Sequence, residues 1–262
     1  MSDIHSSAVI ADGANIDDDV SVGPFCVIGA GVTLGAGVKI HAHVVVDGNT
    51  SIGAGTQIFP FSAIGLAPQD KKFAGEESQL EIGENNVIRE HVTMNPGTSG
   101  GGNLTKVGSN GLFMVGSHIA HDCIIGDHVI LANNATVAGH CLIGDHVILG
   151  GLCALHQFVR VGDYAFVGGM TGVEADIIPF GMALGNRAAL AGLNLVGMRR
   201  HNIPREQIHA VRKAYKDLFV DDGTLMERVE LVDKEFRTDA SVQKIISFIK
   251  SASDRSFCVP QK

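Results

Sequence analysis

Apolar residues recur at every sixth position along most of this chain: Ile10, Ile16, Val22, Ile28, Leu34, Ile40, Val46, Ile52, Ile58 and Ile64, then Ile82, Ile88 and Met94. After a slip of one residue the same period resumes at Val107, Phe113, Ile119, Ile125, Leu131, Val137, Ile143, Leu149, Leu155, Val161, Val167 and Val173. A sandwich would carry turn signals every 8 to 12 residues or so, and alternating helices would show a period near 3.6, so neither fits. A fixed period of six predicts a parallel β-helix in which each six residues form one short strand and one corner. Three such units close a triangular coil, and coils stack at about 4.8 Å with the apolar positions filling the prism.

Gly follows 12 of these 25 apolar positions, among them Gly23, Gly29, Gly35, Gly126, Gly144 and Gly162, which accounts for a glycine-rich composition of 33 residues in 262. Two stretches break the period. Asp70 and Glu76 fall in the apolar slots between Ile64 and Ile82, and GTSGGGNLTK separates Met94 from Val107. Both read as loops ejected from the prism, near 66–81 and 97–106, and ejected loops on a rigid scaffold commonly carry function. The period ends after Pro179. Pro204 to Val220 then reads as a helix with Ile208, Val211, Tyr215, Leu218 and Phe219 on one face. Thr224 with Glu227 has the capping-box signature for a second helix, and a third is predicted from about Ala240 to Ser251. The expected organisation is a β-helix over 1–185 and a helical domain over 186–262.

Composition narrows the class. With 45% hydrophobic and 18% charged residues the chain can bury a sizeable core, which excludes a disordered protein. Aromatics at 5% and the absence of Trp require that core to be built from small and β-branched side chains. No run approaches the roughly 18 apolar residues of a membrane span, and the first ten residues have no signal-peptide pattern, so a cytoplasmic protein is expected. The five cysteines form no Cys-x-x-Cys pair and predict neither a disulfide framework nor a thiolate zinc site. A net charge of −8 argues against general nucleic-acid binding.

The repeat also sorts the histidines. IGDHVIL occurs twice, so His128 and His146 fall one coil apart at equal offsets with Tyr164 next in line. They read as corner residues stacked on one another, as do His41 and His43. His118, His121, His140 and His156 instead surround Ile119, Val137 and Leu155, which lie 18 residues apart and hence on one face, at differing offsets. Such convergence suggests a functional cluster. Zinc could take three imidazoles and a water, as in a zinc-dependent hydratase of the β-helical carbonic anhydrase type. Alternatively one imidazole serves as general base, with Asp122 beside His121 to orient it, although neighbours on a strand point to opposite faces. Gly139, one coil from His121, offers a bare amide for an oxyanion, or is a plain corner glycine.

SHIAHDC, ILANNATVAGH, LHQF and the loop bearing Gln69, Asp70 and Lys72 together resemble the UDP-N-acetylglucosamine O-acyltransferase family of lipid A biosynthesis, along the whole chain. The resemblance implies a left-handed β-helix, a homotrimer with sites between subunits, and no metal or cofactor. It implies transfer of a 3-hydroxyacyl group from acyl carrier protein to the 3-position of UDP-N-acetylglucosamine or of its 3-amino analogue. By resemblance His121 is the base, Asp122 its partner and Gly139 the oxyanion donor. Asp70, Lys72, His118, His140, His156, Gln157, Asn194 and Arg200 match substrate-binding positions, and Gly169 an acyl-chain ruler. Asn95, Pro96, Val196 and His201 depart from the His, Arg, Glu and Arg of better-known members. The charges support the carrier partner separately. From Arg199 to Lys216 six basic residues stand against one acid, Glu206, and Arg205, His209, Arg212 and Lys216 share one helical face.

Overall fold

The computed structural model describes residues 2–220 and 222–261, so Met1, Asp221 and Lys262 lie outside the described residues. Among these residues the chain winds through three sheets of 11, 9 and 8 strands, visiting them in strict rotation as far as Gly172–Val173. Face one starts with Asp3–Ile4, face two with Val9–Ile10 and face three with Asn15–Ile16. Strands pair in parallel between successive coils, as in Ile119 with Val137 and Val137 with Leu155. The repeated apolar residues point inward: Ile58, Ile88, Phe113, Leu131, Leu149 and Val167 form one fully buried column. Each such side chain contributes roughly 1.5–3 kcal/mol by burial, so the column is the main stabilising element of face one.

The recurrent glycines have a different cause from the corner role expected of them. A Cβ at Gly83 would lie 2.8 Å from the Gly108 backbone, and one at Gly126 would lie 2.8 Å from that of Gly144. Close approach of adjacent coils, and not positive φ, excludes a side chain there. The corners themselves are left-handed and carry ordinary residues, including His128 at φ 57°, His146 at 59° and Tyr164 at 61°. That conformation costs about 1–2 kcal/mol per residue. Stacking offsets it: the rings of His128 and His146 are 4.7 Å apart, His146 and Tyr164 likewise 4.7 Å, and Tyr164 and Phe180 5.4 Å. His43 is sandwiched between Phe25 and Phe61 in the same manner, and His41 stacks on Phe59.

One buried amide braces the corner between faces three and one. Asn86, fully buried, donates to the carbonyls of Gly83 and Gly108 at 2.9 Å each and accepts from the Gly111 amide at 2.7 Å. It ties two successive coils together through three backbone groups, of which the Gly83 carbonyl also accepts from the Thr56 hydroxyl at 3.1 Å.

Beyond the prism, Gly181–Leu184 and Ala189–Leu193 form an antiparallel hairpin that caps face one, an element the hexad pattern did not forecast. Four helices follow: α1 (Leu195–Arg200), α2 (Arg205–Leu218), α3 (Leu225–Glu235) and α4 (Ala240–Lys250). The predicted Thr224–Glu227 capping box is present at the start of α3. The short α1 escaped prediction because its six residues are too few to show a helical period.

Replacing Asn86 with Leu keeps the branched shape and strips the three bonds, taking their side-chain partner from the Gly108 carbonyl and the Gly111 amide. Urea unfolding is expected to show a loss of at least about 2 kcal/mol; an unchanged midpoint would mean the corner is stable without the bracket.

Candidate active site

Both ejected loops leave the prism at the same corner, between face two and face three. The first runs from Ala63–Ile64 to Gln79–Ile82 and the second from Thr93–Met94 to Leu104–Val107. In the following coils that corner carries Asp122, His140 and Phe158, all at positive φ. The loops therefore overhang the histidine cluster. They also brace each other: the Ser99 amide donates to Glu76 at 3.0 Å, and Asn95 Nδ2 donates to the Leu66 carbonyl at 2.9 Å. Amide hydrogen bonds from Ser99 and Ala74 hold the Glu76 carboxyl at about 2.

His121 and Asp122 are neighbours in sequence, yet their side chains meet. Asp122 sits at the corner with φ 59°, so the alternation of an extended strand no longer separates them. His121 Nδ1 lies 2.7 Å from Asp122 Oδ2. The carboxylate is buried and receives two further donors from the second loop, the Thr98 amide at 2.8 Å and the Thr98 hydroxyl at 2.6 Å. The Asp122 amide donates to Thr105 Oγ1 at 2.7 Å. With its acceptor oxygens aimed at the ring, Asp122 selects the Nδ1–H tautomer and leaves His121 Nε2 unprotonated, as a general base requires.

That nitrogen lies over Gly139. A Cβ at Gly139 would come within 2.6 Å of His121 Cε1 and 2.8 Å of Nε2, so only glycine admits the ring. Gly139 is buried, and among the described residues its amide makes no hydrogen bond. A bare amide beside the base is suited to receive a developing oxyanion.

His140 meets His121 edge to face at 5.0 Å, stacks on Phe158 at 4.5 Å, and has Nε2 3.8 Å from Asp122 Oδ2. Burial pushes its pKa down, against the opposing pull of Asp122 and Asp70; Lys72 adds to the lowering. Asp70 and Lys72 thus lie within electrostatic reach of the cluster, where the first loop brings them. His118 stands on face two with Nδ1 2.7 Å from Thr93 Oγ1, and burial lowers its pKa as well. His156 is exposed one coil beyond Ala138, beside Gln157, and its ring contacts Arg255 in preference to another imidazole.

The remaining expected residues lie elsewhere on the subunit. Gly169 is exposed at the corner between faces one and two, next to Met170. Asn194 caps α1 through the Gly197 amide and donates to the Tyr164 carbonyl, and exposed Arg200 ends the same helix. These belong to the corner between faces three and one. Thr98, Thr105 and Thr93 were not anticipated: nothing in their spacing distinguishes them, although Thr98 opens the ejected stretch GTSGGGNLTK.

His121, Asp122 and His140 offer ligand atoms within 4.8 Å of one another and could hold a metal ion. A hydratase of the three-imidazole kind fits poorly, because His118 is engaged by Thr93 and His156 by Arg255. The arrangement of a carboxylate-oriented imidazole over a free amide is that of an acyl-group transferase built on a β-helix.

Comparison with known proteins agrees. A model described as bacterial transferase hexapeptide (six repeats) matches residues 13–48 and 104–139, and one described as UDP N-acetylglucosamine O-acyltransferase, domain 2, matches 176–258. The acyl-[acyl-carrier-protein]–UDP-N-acetylglucosamine O-acyltransferase of Azorhizobium caulinodans is 49% identical over 99% of this chain and 96% of its own. That of Methylobacterium radiotolerans is 57% identical over 79% of this chain and 76% of its own. Among solved structures, LpxA from Acinetobacter baumannii superposes with a TM-score of 0.94 at 45% identity, covering 97% of this chain and 99% of that one. The UDP-N-acetylglucosamine acyltransferase of Francisella novicida gives 0.96 at 34%, covering 99% and 95%. The chain belongs to the UDP-N-acetylglucosamine O-acyltransferase family, and with membership comes the fold class expected from the sequence, a left-handed parallel β-helix with a C-terminal helical domain.

Thr98→Val removes one hydroxyl donor from Asp122 and preserves shape. Acyl transfer is expected to slow by roughly 10- to 100-fold, the value of one bond to a charged group, with little change in thermal midpoint. Unchanged turnover would mean that Asp122 is held well enough without it.

Proposed function

We propose that this chain transfers a 3-hydroxyacyl group from acyl carrier protein to the 3-hydroxyl of UDP-N-acetylglucosamine, the first step of lipid A biosynthesis. The observation that carries the reading is the His121–Asp122 pair seated over the free Gly139 amide, in a chain of this family. His121 Nε2 accepts the proton of the sugar hydroxyl as its oxygen attacks the thioester carbonyl carbon. The resulting oxyanion receives the Gly139 N–H, and Asp122 stabilises the imidazolium. Collapse expels the carrier thiolate, which takes the proton from His121. Ester and thiol are produced, and no cofactor or metal enters the balance.

His118, His140, His156 and Gln157, with Asp70 and Lys72 from the overhanging loop, would position the two substrates around the base. Asn194, Arg200 and the ruler Gly169 belong to the same site in this reading, yet they stand on other corners of one prism. A homotrimer resolves the discrepancy, since a neighbouring copy can present its own corners across the cleft. The exposed basic face of α2 supports an acidic carrier partner. Lys213 is paired with Glu235, but Arg205, Arg212 and Lys216 make no ion pair among the described residues. Among these residues no helix is long and apolar enough to cross a membrane, and a cytoplasmic site of action is proposed.

Incubation with a panel of 3-hydroxyacyl carrier proteins and with both the 3-hydroxy and 3-amino sugar nucleotides should yield ester on UDP-N-acetylglucosamine. His121→Ala should lower that turnover by roughly 10²- to 10⁴-fold with folding preserved. Turnover near the wild-type rate would remove His121 from the mechanism, and exclusive amide formation would reassign the acceptor.

A second prediction concerns chain length. A Cβ at Gly169 would touch only the Gly151 backbone, at 3.2 Å, so a side chain there projects outward without distorting the coil beyond a few tenths of an ångström. Gly169→Met should move the preferred donor from longer chains towards about ten carbons, each lost methylene contact being worth about 0.8 kcal/mol. Identical preferences in kcat/KM across a chain-length series would place the ruler elsewhere.

A further inference from the structure

The chain beyond α4 returns to the end of the β-helix and is fastened there. The Asp176 amide donates to the Ser256 carbonyl at 2.8 Å, the Cys258 amide donates to the Asp176 carbonyl at 2.8 Å, and the Leu190 amide donates to that of Val259 at 3.0 Å. The Asp176 carboxylate is fully buried and receives Arg160 Nε at 2.7 Å and the Ser253 hydroxyl at 2.6 Å. Arg160 also donates to Ser251 Oγ at 2.5 Å. These bonds fix the backbone on both sides of Arg255, whose own amide donates to Ser253 Oγ at 3.0 Å.

Arg255 reaches from this strap to the histidine cluster. Its Nη2 lies 2.5 Å from His156 Nδ1, and its Nε donates to the Gln157 carbonyl at 3.1 Å. A guanidinium has donors only, so the ring nitrogen it faces must be the acceptor. His156 Nδ1 is also 3.3 Å from the Gln157 carbonyl, but the guanidinium is nearer and can only donate, so its contact decides. With Nδ1 as the acceptor in this contact, the ring hydrogen of His156 is on Nε2.

We infer that Arg255 is a positioning residue for acyl transfer, acting through His156. His121 and His156 are set in opposite tautomers by opposite partners. A carboxylate on Nδ1 makes His121 Nε2 an acceptor, fit to take a proton. A guanidinium on Nδ1 makes His156 Nε2 a permanent donor, fit to hold a carbonyl or phosphate oxygen of a substrate and unfit to compete as base. The inference rests on the proposed place of His156 among the substrate-binding residues. It adds that the C-terminal strap is part of the site.

The test is a double-mutant cycle on kcat and KM for both substrates, with Arg255→Met, Arg255→Lys, His156→Ala and the double variants. Arg255→Met should lower kcat/KM by roughly 10- to 100-fold, as loss of one charge-assisted bond does, and Lys should restore much of it. In the His156→Ala background, Arg255→Met should cost less than about 2-fold, because its target is gone. Equal losses in both backgrounds would overturn the inference while leaving His156 a substrate residue. If His156→Ala by itself costs nothing, the reading of His156 fails and this inference with it. Nitrogen-15 NMR of histidine-labelled wild-type protein supplies a readout independent of variant folding: His156 should carry its hydrogen on Nε2, and a hydrogen on Nδ1 would refute the assignment.

Discussion

Parallel strands of successive coils can keep their hydrogen bonds only where the two backbones run about 4.8 Å apart, and in a closed triangular coil that spacing must hold at the corners as well as along the faces. Much of the chemistry of this chain follows from meeting that demand. Where coils approach most closely, as at Gly83 over Gly108 and Gly126 over Gly144, no Cβ fits. Where the chain must turn sharply, left-handed residues are unavoidable, and their strain is offset by stacking one ring upon the next. In IGDHVIL the glycine serves the first need and the histidine the second. The aspartate between them accepts a backbone amide from the neighbouring coil: Asp127 from Ser109 at 2.6 Å and Asp145 from Asp127 at 2.8 Å.

The same constraint creates the site. At the corner between faces two and three, which glycines such as Gly13 and Gly48 turn in earlier coils, two loops are ejected, and the corner of the next coil is an aspartate, Asp122, at φ 59°. Left-handed backbone there turns the Asp122 side chain back onto His121, which an extended strand could not do. The loop directly above then closes over the carboxylate with Thr98, so that a structural corner becomes an oriented acid–imidazole pair. Gly139, in turn, is glycine for the reason that many glycines here are: something lies against it. Here the neighbour is the imidazole ring of His121.

A rigid prism has a further consequence for specificity. Because its corners point 120° apart in an idealised triangle, residues displayed on different corners cannot meet within one subunit, however suggestive their identities. Gly169, the α1 pair Asn194 and Arg200, and the His121 cluster are so distributed.

The hexad period by itself determined the β-helix, its inward residues and its two interruptions, because an apolar slot every six residues leaves few alternatives for burial. It also placed His128, His146 and Tyr164 in one stacked column, since register in a repeat is arithmetic, but it did not show that His140 is a stacked corner residue too or that His156 lies apart from the other imidazoles. The capping box at Thr224 was legible for the same local reason. Only the tertiary structure decided which polar groups touch. That both loops leave from one corner, that Thr98 holds Asp122 and that Arg255 reaches His156 from 99 positions away depend on where insertions and the C-terminal strap fold back. Those placements are set by long-range hydrogen bonds between non-repeating segments, which leave no period to read.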